Sequence, residues 1–282
     1  MSKIKLILDS IKFEHTIFAL PYAYIAMLLA SDGIPTLNKV LWITVAMGSA
    51  RTLAMSSNRI IDRHIDKDNP RTSARHLPSG MIQLKDMQIL AGLSMVIFFL
   101  AASQLNYLCL LLSPVAALIV VFYPYTKRFT WGCHFVLGFA DGIAPAGAWI
   151  AITGSFSWEP MVLAFAVATW IGGFDILYSC QDYEFDVNNG LYSLPQRFGI
   201  INAMNFAKFM HFLTIISFVS LGVLLNLHQI YYIGCTATAL LLIYEHKLVS
   251  PTDLTRIDVA FFNINGYIAV VLFICTLAAL YV

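Results

Sequence analysis

Charge is scarce in this chain. Only 12% of its 282 residues are Asp, Glu, Lys or Arg, and they balance to a net charge of +1. That is too little charge to coat a soluble domain. Cysteine is also sparse: Cys109, Cys133, Cys180, Cys235 and Cys275 stand singly, with no CxxC spacing and no histidine at zinc-ligand distance. They read as small buried packing residues. The seven histidines, His15, His64, His76, His134, His211, His228 and His246, are dispersed and form no ligand set, so packing or interfacial roles are expected. Residues 1–12 do not resemble a cleavable signal, being an amphipathic stretch with Lys3, Lys5 and Lys12 that leads straight into an apolar run, so the N-terminus is expected to stay. Strand-like alternation is missing too, which removes an outer-membrane barrel.

What is plentiful is hydrocarbon. Hydrophobic residues make up 59% of the chain, and the mean hydropathy is +0.74. Apolar runs broken by charged or Pro/Gly-containing stretches lie near 13–31, 38–57, 86–103, 106–123, 133–153, 160–178, 206–226, 229–247 and 257–281. Each is roughly 17–25 residues, enough to carry a helix across about 30 Å of hydrocarbon. The expectation is an all-α, polytopic membrane protein, one domain over residues 1–282, with nine transmembrane helices in a bundle. Basic residues fix its orientation, since Lys and Arg in short loops collect on the cytoplasmic side. With nine spans, every one of the 17 Lys and Arg residues except Lys39 falls on or next to the side of the N-terminus. That side is therefore expected to be cytoplasmic.

Against this background residues 58–72, NRIIDRHIDKDNPRT, stand out. Asn58, Asp62 and Asp66 recur at intervals of four, and on a helix continuing from the second span they share one face. Carboxylates so placed repel unless a cation lies between them. Hard oxygen donors of this kind suit Mg²⁺, which takes one or two carboxylates together with phosphate oxygens and water. A solvated charged loop at a helix end is the plainer alternative. The loop after the sixth span repeats the pattern with Asp182 and Asp186, and the loop after the fourth offers Tyr123 and Lys127, again four apart. Two acidic clusters four spans apart suggest two pseudo-repeated halves, an arrangement that transporters use as well. Arg71 and Arg75 add positive charge beside the first cluster. Metal-holding carboxylates flanked by Tyr123, Lys127, Arg71 and Arg75 suit a diphosphate, whose oxygens metal and basic side chains neutralise together.

These motifs resemble those of the UbiA superfamily of intramembrane prenyltransferases. The pattern NDxxDxxxD is similar to Asn58, Arg59, Asp62 and Asp66, DxxxD to Asp182 and Asp186, and YxxxK to Tyr123 and Lys127. The likeness extends over essentially the whole chain in span number, motif order and side of the membrane. One position departs: Arg59 stands where the pattern commonly has its first aspartate, so a cation replaces one acidic contact to the metal. The segments FEHTIFALPYAY, APAGAWIAITG and GLYSLPQRFG resemble the 4-hydroxybenzoate polyprenyltransferase-like branch, which includes enzymes acting on dihydroxynaphthoates for menaquinone.

The resemblance implies an active site on the cytoplasmic side of the membrane, which in a bacterium is the inner (plasma) membrane. There, Mg²⁺ would bridge both acidic motifs and a polyprenyl diphosphate, and a small aromatic acid would accept the prenyl group. The lipid bilayer is the remaining partner; nucleic acid and an obligatory protein partner are not expected. Asp175, inside the sixth span, is a costly charge in lipid and so a functional residue by default. The family implies for it the role of base toward the acceptor hydroxyl; a structural hydrogen bond between helices is the alternative. Arg51, two turns before Asn58, either grips an acceptor carboxylate or pairs with an acidic residue. A divalent-cation transporter is the competing class. It would place carboxylates near mid-membrane, and only Asp141 and Asp175 suit it.

Overall fold

The computed structural model describes residues 3–12, 16–31 and 33–282. The opening of the first expected span, residues 13–15 with His15, lies outside the described residues. The chain divides into two compact units, Met1–Leu20 with Thr36–Tyr125, and Pro21–Pro35 with Thr126–Val282. They are unequal in length and interleaved in sequence. All regular structure among the described residues is helical.

In the first unit, the short helix α1 (Lys3–Ser10) precedes α2 (Thr16–Leu29), which crosses from the first unit to the second at Pro21. Helix α3 (Leu37–Asp68) runs 32 residues without interruption, then α4 (Leu84–Leu105) and α5 (Tyr107–Phe122) follow. Two of these helices start on side-chain caps. Thr36 accepts from the Lys39 backbone N–H, and Asn106 accepts from that of Cys109 at 2.8 Å, satisfying donors that have no intrahelical partner. The amphipathic residues of α1 find their apolar partners here: Leu6, Ile7 and Ile11 pack with Leu77, Ile82 and Met87. Outward faces of α4 and α5 are apolar, with Leu93, Val96, Leu100, Leu111, Val115 and Leu118 exposed. Such faces are satisfied by lipid rather than water.

In the second unit, α6 (Cys133–Thr153) and α7 (Glu159–Ser179) pack through small residues. A Cβ on Gly138 would strike the Ala168 carbonyl, and one on Gly142 would stand 2.7 Å from the Ala164 carbonyl. Backbones can come that close only where side chains are missing, the usual device of helix pairs in lipid. Beyond α7 come a 3₁₀ turn (Cys180–Asp182), α8 (Tyr183–Asn189), α9 (Leu194–Phe198), α10 (Ile200–Leu224), α11 (Gln229–Leu248) and α12 (Asn265–Tyr281). A π-helical turn, Val259–Ile264, leads into α12. The Asn265 amide donates to the Ala260 and Phe261 carbonyls at 3.2 and 3.1 Å and accepts from Trp170 Nε1 at 2.7 Å. It thereby satisfies carbonyls that the wider turn leaves over.

Among the described residues, six helical stretches are long and apolar enough to cross a membrane, from Leu84–Leu105 to Val259–Tyr281. They answer to six of the expected spans. At the other three positions stand α2, only 14 residues long, α3, which carries the charged stretch of the sequence in its last three turns, and α11, whose 20 residues include Glu245, His246 and Lys247.

Candidate active site

The first acidic cluster is built by the length of α3. Because the helix continues past the apolar run to Asp68, Asn58, Asp62 and Asp66 do lie on one face, a turn apart. Asp62 and Asp66 are buried. The Asn58 amide nitrogen donates to Asp62 Oδ2 at 3.0 Å, and its oxygen accepts from Arg59 Nη1 at 3.3 Å. A flipped amide would set oxygen against oxygen and N–H against N–H, so both neighbours fix the same orientation. Arg59 Nε donates to the Ser10 carbonyl at 3.0 Å. Burial lowers the Arg59 pKa to about 10, still far above neutral, so the guanidinium stays charged. The residue that departs from the family pattern therefore joins the C-terminal end of α1 to Asn58 of the first acidic cluster.

Past α3 the chain folds back on the helix end. Thr72 Oγ1 donates to the Asp66 carbonyl, Asn69 Oδ1 accepts from the Arg71 backbone N–H, and Arg75 Nη1 reaches both Asp66 carboxylate oxygens at 2.8 Å. Arg75 thus comes to lie against the first cluster, while the Arg71 side chain is exposed. Two turns back along α3, Arg51 Nε is buried and makes no hydrogen bond among the described residues. Buried N–H groups are seldom left so.

The 3₁₀ turn Tyr123–Arg128 carries Tyr123 at the end of α5 and Lys127 at the start of the second unit. The Lys127 carbonyl accepts from the Tyr192 backbone N–H at 2.8 Å, and Lys127 is close enough for its charge to act on Asp186. Asp182 ends the 3₁₀ turn before α8, and Asp186 lies buried within α8. The 3₁₀ turn after Ser179 interrupts the helix, so Asp175 and Asp182 are not related by two plain α-helical turns as the spacing suggests. Ser193 Oγ donates to Asp186 Oδ2 at 2.7 Å.

Asp175 is joined to a histidine. His134 Nδ1 lies 2.6 Å from Asp175 Oδ2, and the Leu194 backbone N–H donates to His134 Nε2 at 3.2 Å. From sequence, His134 is expected only to pack or to sit at an interface. No local spacing links residues 134 and 175, which meet because Gly138 and Gly142 draw α6 onto α7. Ser193 was missed as well, although a serine followed by Leu-Pro is a readable helix start. His211 and His246 form a second pair, with Nδ1 to Nε2 at 3.0 Å.

Among the described residues no three His, Cys, Asp or Glu side chains come together tightly enough to hold a metal by themselves. A cation that takes few protein ligands suits either acidic cluster taken by itself: Asp62 and Asp66 in the first unit, and Asp186 in the second, offer buried hard oxygens of the kind Mg²⁺ takes with phosphate and water, and neither cluster suits a closed Zn²⁺ site.

The family description "UbiA prenyltransferase family" matches residues 19–267. A 4-hydroxybenzoate octaprenyltransferase of Aliivibrio salmonicida is 29% identical over 255 residues, 90% of this chain and 88% of that protein. Among solved structures, the apo form of a UbiA homologue from Aeropyrum pernix K1 superposes with a TM-score of 0.87 at 31% identity, covering 94% of this chain and 98% of that one. A UbiA homologue from Archaeoglobus fulgidus, bound to GPP and Mg²⁺, shares the fold at a TM-score of 0.77 and 18% identity, over 98% of this chain and 100% of that one.

Proposed function

The chain belongs to the UbiA prenyltransferase family, and from that premise we propose that it prenylates a small aromatic hydroxy acid of the 4-hydroxybenzoate type, as in ubiquinone biosynthesis. The donor is an allylic polyprenyl diphosphate. This multi-pass membrane enzyme forms one catalytic domain over residues 1–282, crosses a bacterial inner membrane nine times as two related halves, and keeps its N-terminus and acidic motifs on the cytoplasmic side. The gathering of every Lys and Arg except Lys39 on or next to that side supports the orientation.

The allylic C–O bond breaks with its electron pair leaving on the diphosphate. A ring carbon ortho to the acceptor hydroxyl then bonds the allylic carbon, and the ring proton is lost. Lys127, Arg71, Arg75 and the Tyr123 hydroxyl bind the diphosphate where its negative charge develops. Asn58, Asp62 and Asp66, with Asp182 and Asp186, would hold Mg²⁺. Bound Mg²⁺ supplies further neutralisation of the leaving group. Asp175 takes the hydroxyl proton and enriches the ring carbon in electrons. Arg51 Nε, buried without a hydrogen-bond partner among the described residues, grips the acceptor carboxylate. Apolar helices keep water from the allylic cation.

The observation that carries this reading is the acidic face of α3, buried at Asp62 and Asp66 and lined by Arg59 and Arg75. The test is product analysis with purified protein, Mg²⁺, mixed polyprenyl diphosphates, 4-hydroxybenzoate and dihydroxynaphthoates. A prenylated acceptor that disappears with EDTA and in Asp62→Ala is expected. No diphosphate binding at all would overturn the reading in favour of the transporter.

A further inference from the structure

We propose that His134 is a positioning residue that holds Asp175 as a proton acceptor, and that the Ser193–Leu194 step ties this pair to Asp186. The inference rests on the role given above to Asp175 and concerns only residues of the second unit.

The tautomer follows from the neighbours. Leu194 opens α9, and its backbone N–H is one that the helix itself leaves without an acceptor. It donates to His134 Nε2 at 3.2 Å, so that nitrogen carries a lone pair, not a proton. The proton of the neutral imidazole is then on Nδ1 and donates to Asp175 Oδ2 at 2.6 Å. An imidazolium would instead turn a second N–H against that of Leu194. His134 is 4% exposed at its side chain and Asp175 25%. The ring is therefore enclosed while the carboxylate keeps an open side, with one oxygen held and the other available.

The preceding residue extends the link. Ser193 Oγ donates to Asp186 Oδ2 at 2.7 Å and accepts from the Gln196 backbone N–H. The carboxylate proposed for the donor side and the one proposed for the acceptor side are thus joined by adjacent residues. A shift of the α8–α9 loop at Asp186 moves Leu194, and with it the acceptor that sets the His134 ring.

The experiment compares wild type, His134→Asn, His134→Gln, His134→Phe, Asp175→Asn and the His134→Phe/Asp175→Asn double variant in lipid. It reads kcat, both KM values, diphosphate binding and melting temperature. The Asn amide nitrogen sits near the place of Nδ1 and the Gln amide nitrogen near that of Nε2. His134→Phe is expected to lower kcat about 10- to 100-fold, as outer partners of catalytic groups do, with the donor KM and diphosphate binding held. His134→Asn recovers most of the loss and His134→Gln does not. The double variant is no slower than Asp175→Asn, since residues acting through one another are not additive.

If His134→Phe keeps wild-type kcat while Asp175→Asn is inactive, the inference is overturned and the base reading stands. A fully active Asp175→Asn removes the base reading itself. Should His134→Phe fail to fold, the Asn and Gln variants decide: Asn no better than Gln overturns the proposal.

Discussion

Arg59 shows how a single residue can change a motif without removing it. Its guanidinium faces the Ser10 carbonyl and the Asn58 amide oxygen, so the positive charge serves to orient Asn58 and anchor α1. Arg59→Ala leaves both acceptors without their donor and is expected to cost about 1–3 kcal/mol, read as a lower melting temperature in detergent. Arg59→Lys should restore only part of this, because an ammonium does not reproduce the planar fork that serves two separated acceptors. Arg51 makes a contrasting case on the same helix. If its buried Nε serves the acceptor, Arg51→Ala raises the acceptor KM by roughly tenfold, the worth of one charge-assisted hydrogen bond, and leaves the donor KM unchanged. A change confined to the donor KM would sink that assignment. The motif residues were legible in the sequence because a period of four on a helix is a local signal. Their partners were not, since Ser10 reaches Arg59 across 49 positions.

Helices α6 and α7 show what determines a distance between side chains 41 residues apart. Gly138 and Gly142 admit the Ala168 and Ala164 carbonyls, and one turn beyond Gly138 the same face brings His134 to Asp175. Gly138→Leu puts a side chain where backbone now lies. The expected result is a loss of kcat of about 10-fold or more, comparable with losing the His134 contact, together with a lower melting temperature; wild-type values for both would mean that the helices approach for another reason. Nothing local in the sequence marks which helix Gly138 and Gly142 meet, because their partners on α7 lie more than twenty residues away. The length of α3 decides between two readings the sequence leaves open: the charged stretch continues the helix to Asp68, so Asn58, Asp62 and Asp66 share a face, and it is not a loop at the helix end.

At the scale of the molecule, the arrangement of charge gives a topology that can be measured. Ser155, in the exposed turn between α6 and α7, and Asn188, at the end of α8, are expected on opposite sides of the membrane. In a background without the five native cysteines, Ser155→Cys should react with an impermeant thiol reagent in whole cells and Asn188→Cys only after lysis. Labelling of both, or the reverse pattern, would contradict the orientation. Helical class and membrane setting were readable from hydropathy alone, because lipid leaves the backbone few choices. The division into units was not. Pro21–Pro35 belongs with Thr126–Val282, and Tyr22 lies 4.7 Å from Trp170 and 6.1 Å from Phe218, ring to ring. That interleaving imposes an order on biosynthesis. A ribosome that has just released Tyr22 must add Trp170 and Phe218 before the tyrosine can meet its neighbours, on the order of 10 s or more at about 5–20 residues per second. Until then an early segment of the chain waits for α7 and α10, so the second unit closes around a piece of the nascent protein synthesised before almost everything else.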